Sequence, residues 1–145
     1  MASAAHQWLL VWASRRMEAD GFAVSGFDGQ ARHGGRWNTM PAPFTLAGLR
    51  PDAWGVRGDD ALLAFAEAKT ADDIDNDHTR RQLAAFARAR VGAGEGRRRC
   101  PLYIAIPRSA THLLDRALAR IGLAGATNIV RIHVPDILLE GGQEP

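Results

Sequence analysis

LRPDAWGVRGDDALLAFAEAK, residues 49 to 69, reads as a β-hairpin that carries two carboxylates and a lysine on one face. Strand side chains change faces at every residue, so Leu63, Phe65, Glu67 and Lys69 point one way and Leu62, Ala64, Ala66 and Ala68 the other. The partner strand is expected from about Arg50 to Arg57, with Gly58, Asp59, Asp60 and Ala61 as a four-residue loop of turn formers. Such a loop pairs Arg57 with Leu62, and counting outward sets Asp52 opposite Glu67. Directly opposed residues have Cβ atoms roughly 4.5–5.5 Å apart, close enough for both carboxylates to hold one hard cation such as Mg²⁺. A slip of one residue would turn Asp52 to the other face and destroy the site.

Charged groups inside an apolar strand are costly unless they are paired or bind metal, so Glu67 and Lys69 in a Leu-Ala-Phe-Ala run need a reason. Two carboxylates and the backbone carbonyl of Ala68 suit Mg²⁺ on a phosphate oxygen, with the adjacent ammonium orienting a water and offsetting developing charge. An edge strand with Glu and Lys on its solvent face is the plainer alternative. Against it stands the lysine count: 17 of the 18 basic side chains are arginine, and Lys69 is the only lysine. A chain that elsewhere uses arginine for positive charge keeps here the compact point charge of an ammonium.

Pro51-Asp52, fourteen intervening residues and then Glu67-Ala68-Lys69 resemble the PD-(D/E)xK nuclease superfamily, the restriction-endonuclease-like fold. The resemblance implies an αβββαβ core and Mg²⁺-dependent or Mn²⁺-dependent phosphodiester hydrolysis. It also implies Asp52 and Glu67 as metal ligands and Lys69 as the catalytic lysine. Some branches add a glutamine on the following helix, in a Gln-x-x-x-Tyr pattern, which Gln82-Leu-Ala-Ala-Phe86 follows except at its last residue. Gln82 is thereby expected to order the lysine or the water, and Phe86 to belong to the core. Many members carry a first-helix glutamate about ten residues before a glycine. Leu10 and Val11 stand at that distance from Gly21, and Glu18 is only a weak substitute.

Around the hairpin, Ala4 to Asp20 reads as a helix with Trp8, Val11, Trp12 and Arg15 on one stripe and Leu9, Ala13 and Met17 beside it, ending at Gly21. Phe22 to Phe27 alternates as a first strand before the Asp28-Gly29 turn. Gln30 to Gly48 reads as a long loop with a short strand near Phe44 to Leu46, and its Arg36 and Trp37 are candidate nucleic-acid contacts, Trp37 equally a lid on the core. Asp77 or Thr79 is expected to cap a helix reaching about Val91, with His78, Gln82 and Phe86 on one face. Pro101 to Ile106 reads as a strand buried on both faces, Ser109 as the cap of a helix striped by Leu113, Leu114, Ala117, Leu118 and Ile121, and Asn128 to Val134 as the last strand.

The expected architecture is therefore a single domain, residues 1–145. It is α/β with a three-layer restriction-endonuclease-like αβββαβ core, a mixed central sheet and an added C-terminal helix and strand.

Composition narrows the function. One cysteine, Cys100, excludes an internal disulfide and a multi-cysteine zinc site. No apolar run is long enough to span a membrane, so a cytoplasmic protein is expected. Net charge is only +2, but Arg80, Arg81, Arg88, Arg90, Arg97, Arg98 and Arg99 face a single acid, Glu95, between 80 and 99. A basic block beside an acidic site suits a protein that grips phosphates and hydrolyses one of them. Arg80, Arg81, Arg97, Arg98 and Arg99 are the candidate backbone contacts.

Asp73, Asp75 and Asp77 imitate a calcium loop, but His78 and Ala84 stand where an EF-hand needs Gly and Glu. No Gly-x-x-x-x-Gly-Lys loop and no nucleophile elbow are present, which leaves ATP hydrolysis and Ser-His-Asp chemistry unsupported. The expected function is a metal-dependent DNA nuclease, homodimeric if both strands of a duplex are cut. The alternative is a non-catalytic nucleic-acid-binding or subunit-interaction module that keeps the fold.

Overall fold

The computed structural model describes residues 3–29, 37, 40–92 and 94–142. Within them the chain runs α1 (Ala4–Ala19), β1 (Ala23–Phe27), β2 (Ala53–Arg57), β3 (Leu62–Ala68), α2 (Asp77–Arg88), β4 (Arg90–Val91) and β5 (Arg98–Arg99). It continues through β6 (Leu102–Pro107), α3 (Thr111–Arg120) and β7 (Ile129–Val134) to a 3₁₀ segment, Asp136–Gly142. Five strands make one sheet in the order β1-β2-β3-β6-β7, and β4 pairs with β5 as a separate ribbon. β1–β2 and β2–β3 are antiparallel, whereas β3–β6 and β6–β7 are parallel. Short connections suffice for the former; each parallel step needs a crossover, and α2 and α3 provide them. The α/β class and the mixed sheet are as expected.

The hairpin register is the expected one: Arg57 faces Leu62, Val56 faces Leu63, and the ladder runs to Ala53 opposite Ala66. The two faces of β3 separate the core into halves. Leu62, Ala64, Ala66 and Ala68 pack with Leu9, Leu10, Ala13 and Met17 of α1. Phe65 packs on the other face with Leu83 and Phe86 of α2 and Leu114 and Leu118 of α3. Small side chains under α1 let the helix approach closely, while Phe65 stacks within 5.7 Å of Phe86 on the opposite side.

Several local expectations are corrected. β2 begins at Ala53, three residues after the expected Arg50, because Leu46 and Leu49 exchange both backbone hydrogen bonds across a tight turn. Ala47 and Gly48 take φ of 53° and 79° there, the left-handed pair that a two-residue turn requires. The strand expected near Phe44 to Leu46 is thus a single bridge.

Asn76, rather than Asp77 or Thr79, caps α2 by accepting from the Thr79 N–H, and the Thr79 hydroxyl donates to the Asp73 carbonyl. That helix stops at Arg88, since Arg90 and Val91 pair with Arg99 and Arg98. Ser109 does not cap α3; its N–H and hydroxyl both donate to the Asp136 carboxylate, which ties the start of that helix to the C-terminal segment. Cys100 is buried, with its thiol pushed up to about 11 by that burial.

Candidate functional site

The regular hairpin ladder ends at Ala53 opposite Ala66; the Asp52 N–H donates to the Ala66 carbonyl at 3.1 Å, so the register breaks at Asp52, and side-chain bonds hold it beside Glu67. The two residues interlock. Glu67 Oε1 accepts from the Asp52 N–H at 3.1 Å, and Asp52 Oδ2 accepts from the Ala68 N–H at 2.9 Å. Glu67 is fully buried, with 0% of its side chain exposed, and Asp52 keeps 18%. Burial first, and the neighbouring Asp52 carboxylate second, push Glu67 well above the usual carboxylate range.

Lys69 emerges on the same face as Glu67. Its Nζ lies 3.7 Å from Glu67 Oε2, 3.7 Å from Asp73 Oδ2 and donates to Gln82 Oε1 at 2.6 Å. The lysine is buried, which is tolerable only because three acceptors surround it. Gln82 reaches it from α2 because Asn76 starts that helix at a phase that turns Gln82 and Phe86 inward together. His78, one turn earlier, is exposed and does not join them.

Two residues enter that sequence reasoning missed. Asp73 precedes α2 and contributes a third carboxylate beside Lys69. His6, in the first turns of α1, places Nε2 3.3 Å from Asp52 Oδ2, with 19% of its side chain exposed. Burial pulls the imidazole down, but the hydrogen bond and charge of Asp52 outweigh it, and the net shift is upward. The lone signal for His6 was its place on the helix face of Leu10, one turn away. Glu18, twelve residues further along α1, is about 18 Å from His6 along the helix axis and accepts from Trp37 Nε1 at 3.4 Å.

Three carboxylates against one ammonium make this end of the sheet acidic. Among the described residues Glu67 Oε2 is buried with no hydrogen-bond partner, Lys69 Nζ standing 3.7 Å away. A buried carboxylate oxygen so placed is an unmet acceptor, and an oxygen-seeking divalent cation is the kind of group that meets it. Among the described residues, no group of three or more His, Cys, Asp or Glu side chains is arranged to hold a metal ion. The donors on offer are therefore two carboxylates, Asp52 and Glu67, with the backbone carbonyl of Ala68 and water completing the shell. Mg²⁺, which keeps several of its waters, tolerates so sparse a protein set.

The expected phosphate contacts are dispersed. Arg80 is held by Asp75 at 2.6 Å and Asp77 at 2.5 Å, while Arg81, beside Gln82, is exposed. Arg97, Arg98 and Arg99 are exposed at the β4–β5 ribbon, where Arg98 is anchored 2.8 Å from Asp60 in the β2–β3 turn. Arg57 and Arg98 together hold Asp60 far below the usual carboxylate range. That anchoring places the ribbon at the opposite end of β3 from Glu67, five residues or about 17 Å away. Of the two readings of Trp37, contact with nucleic acid or a lid on the core, its burial agrees with the lid: it is 5% exposed and stacks on Phe27 at 5.7 Å. Arg36 lies outside the described residues.

Among the described residues no helix is long and apolar enough to cross a membrane. No family model, curated protein or solved structure matches the chain.

Proposed function

We propose that this chain is a divalent-metal-dependent nuclease that hydrolyses phosphodiester bonds in DNA, on a restriction-endonuclease-like αβββαβ core extended by α3 and β7. One observation carries the reading: Asp52 and Glu67 interlock through each other's backbone at the end of the hairpin while Lys69 lies beside Glu67 and is gripped by Gln82. Asp52, Glu67 and the Ala68 carbonyl would hold Mg²⁺ or Mn²⁺. When bound, the cation supplies Lewis acidity at a phosphate oxygen and eases deprotonation of water. Lys69 places its ammonium beside the developing negative charge, and Gln82 fixes that ammonium without neutralising it, because its amide is uncharged. Asp73 and Glu67 keep the lysine from swinging away.

The ribbon supports a polyanionic substrate. Arg90 and Arg99 are directly opposed in it, a like-charge pairing that an anion relieves. A backbone contact about 17 Å from the carboxylates falls roughly five base-pair steps along a duplex. Two chains acting together would cut both strands.

The test is nicking and degradation of supercoiled, linear and branched DNA with Mg²⁺ or Mn²⁺. Wild type is expected to cut, and Lys69→Ala and Asp52→Ala to lose at least ~100-fold, the scale of removing one transition-state stabilising group. A second reading, a non-catalytic nucleic-acid-binding module, is favoured by the absence of a third acidic ligand from α1, where Leu10 and Val11 are buried. DNA affinity independent of divalent ions, with no cleavage of any substrate, would establish it in place of the nuclease.

A further inference from the structure

Asp52 stands at the mouth of the site on a residue outside the regular strand, where its own backbone offers little control over which carboxylate oxygen faces which neighbour. Two donors settle that. The Ala68 N–H at 2.9 Å and His6 Nε2 at 3.3 Å both reach Oδ2, one from β3 and the other from α1. We propose that His6 is a positioning residue for Asp52: with the Ala68 N–H it fixes Oδ2 and thereby turns Oδ1 toward the cation. This rests on the reading of Asp52 and Glu67 as metal ligands.

The placement of His6 on α1 gives it purchase. Gln7, Trp8, Leu9 and Leu10, the residues that follow it, are buried against the sheet, so the helix cannot roll to withdraw the imidazole. Ser3 caps the helix by accepting from the His6 N–H itself at 3.1 Å, which pins the backbone of that residue. His6 spans to Asp52 from 46 residues away in sequence. Among the described residues its Nδ1 is buried without a hydrogen-bond partner, and the contact of its Nε2 is Asp52.

A helix that packs so closely could have offered a carboxylate; at His6 it offers a hydrogen-bond donor. The site then gains orientation without a further negative charge beyond Asp52, Glu67 and Asp73, consistent with two-carboxylate ligation. Groups that hydrogen-bond to metal ligands hold them in the geometry the ion needs, and their loss typically weakens metal binding about 10–100-fold.

The deciding experiment measures Mn²⁺ affinity of the intact protein, with no nucleic acid, by calorimetry and by EPR of the bound ion. The variants are His6→Leu, His6→Gln, Asp52→Asn and Glu67→Gln, with folding checked by circular dichroism. His6→Leu is expected to weaken Mn²⁺ binding about 10–100-fold, and His6→Gln, which keeps an N–H donor, to recover most of the loss. Pulsed EPR of the wild type should show no imidazole nitrogen coupled to the manganese. If His6→Leu binds Mn²⁺ like wild type while Asp52→Asn does not, the positioning role is wrong and the metal reading stands. A nitrogen coupling lost in His6→Leu would make His6 a direct ligand and overturn the role as stated. Wild type that binds no Mn²⁺, or binds it regardless of Asp52 and Glu67, overturns both.

Discussion

The two faces of β3 are built from the same seven residues at the same period, yet they obey different rules. Under α1, Leu62, Ala64, Ala66 and Ala68 are uniformly apolar and buried from end to end. On the other face the strand begins apolar with Leu63 and Phe65 and becomes ionic at Glu67, with Lys69 continuing it beyond the strand. Both faces exclude water at that end, so the change is not one of exposure. The first face contributes stability by fitting a helix; the second gives up stability to keep a carboxylate and an ammonium where solvent cannot reach them.

The contrast is most easily broken at Phe65. Truncation to Ala removes its contacts with Phe86 and Phe44 and is expected to cost about 3–5 kcal/mol in denaturant unfolding. The opposite insult belongs to the small face: Ala66→Leu has no room beneath α1 and is expected to cost about 1–3 kcal/mol through overpacking. A negligible loss from Ala66→Leu would mean that the helix can lift, and that the closeness of α1 is not what the alanines provide.

The ionic end sharpens the comparison in the reverse direction. Glu67 has a raised folded-state pKa, so the folded chain holds a proton that the unfolded chain has released. Metal-free stability should therefore fall as pH rises from the ordinary glutamate range, near 4.5, up through the raised folded value. Glu67→Gln removes that slope and is expected to raise the metal-free Tm at neutral pH by roughly 2–4 °C, which thermal unfolding from pH 4 to pH 8 will measure. Excess Mn²⁺ should reverse the trend for wild type alone, since ligation favours the deprotonated carboxylate. If Glu67→Gln melts earlier at every pH, the buried carboxylate is a net stabiliser and the division between the two faces fails.

Local rules carried the hairpin a long way. A period of two, a four-residue loop and two flanking apolar runs set Arg57 against Leu62 and carry the ladder to Ala53 opposite Ala66; beyond it the register breaks, and Asp52 is held beside Glu67 by side-chain bonds. Helix α1 was legible for the same reason: its apolar spacing and Gly21, with φ of 95°, are properties of neighbouring residues. The small hairpin was not, because two-residue strands leave no periodicity to read, and it took the arginines of Arg97 to Arg99 to the far end of β3. Trp37 went into the core because Phe27 and Glu18 are there to receive it, a fact with no trace in the residues around Trp37.

By itself the sequence determined the α/β order, the register of the hairpin and the shared face of Glu67 and Lys69, since each follows from interactions between residues close along the chain. Only the tertiary structure decided that Gln82, expected from a resemblance to order either the lysine or a water, would grip Lys69 directly, that Asp73 would stand beside it, and that His6 would cross from the first helix to Asp52. Those contacts depend on how helices are laid against a sheet, and that is settled by the packing of the whole core.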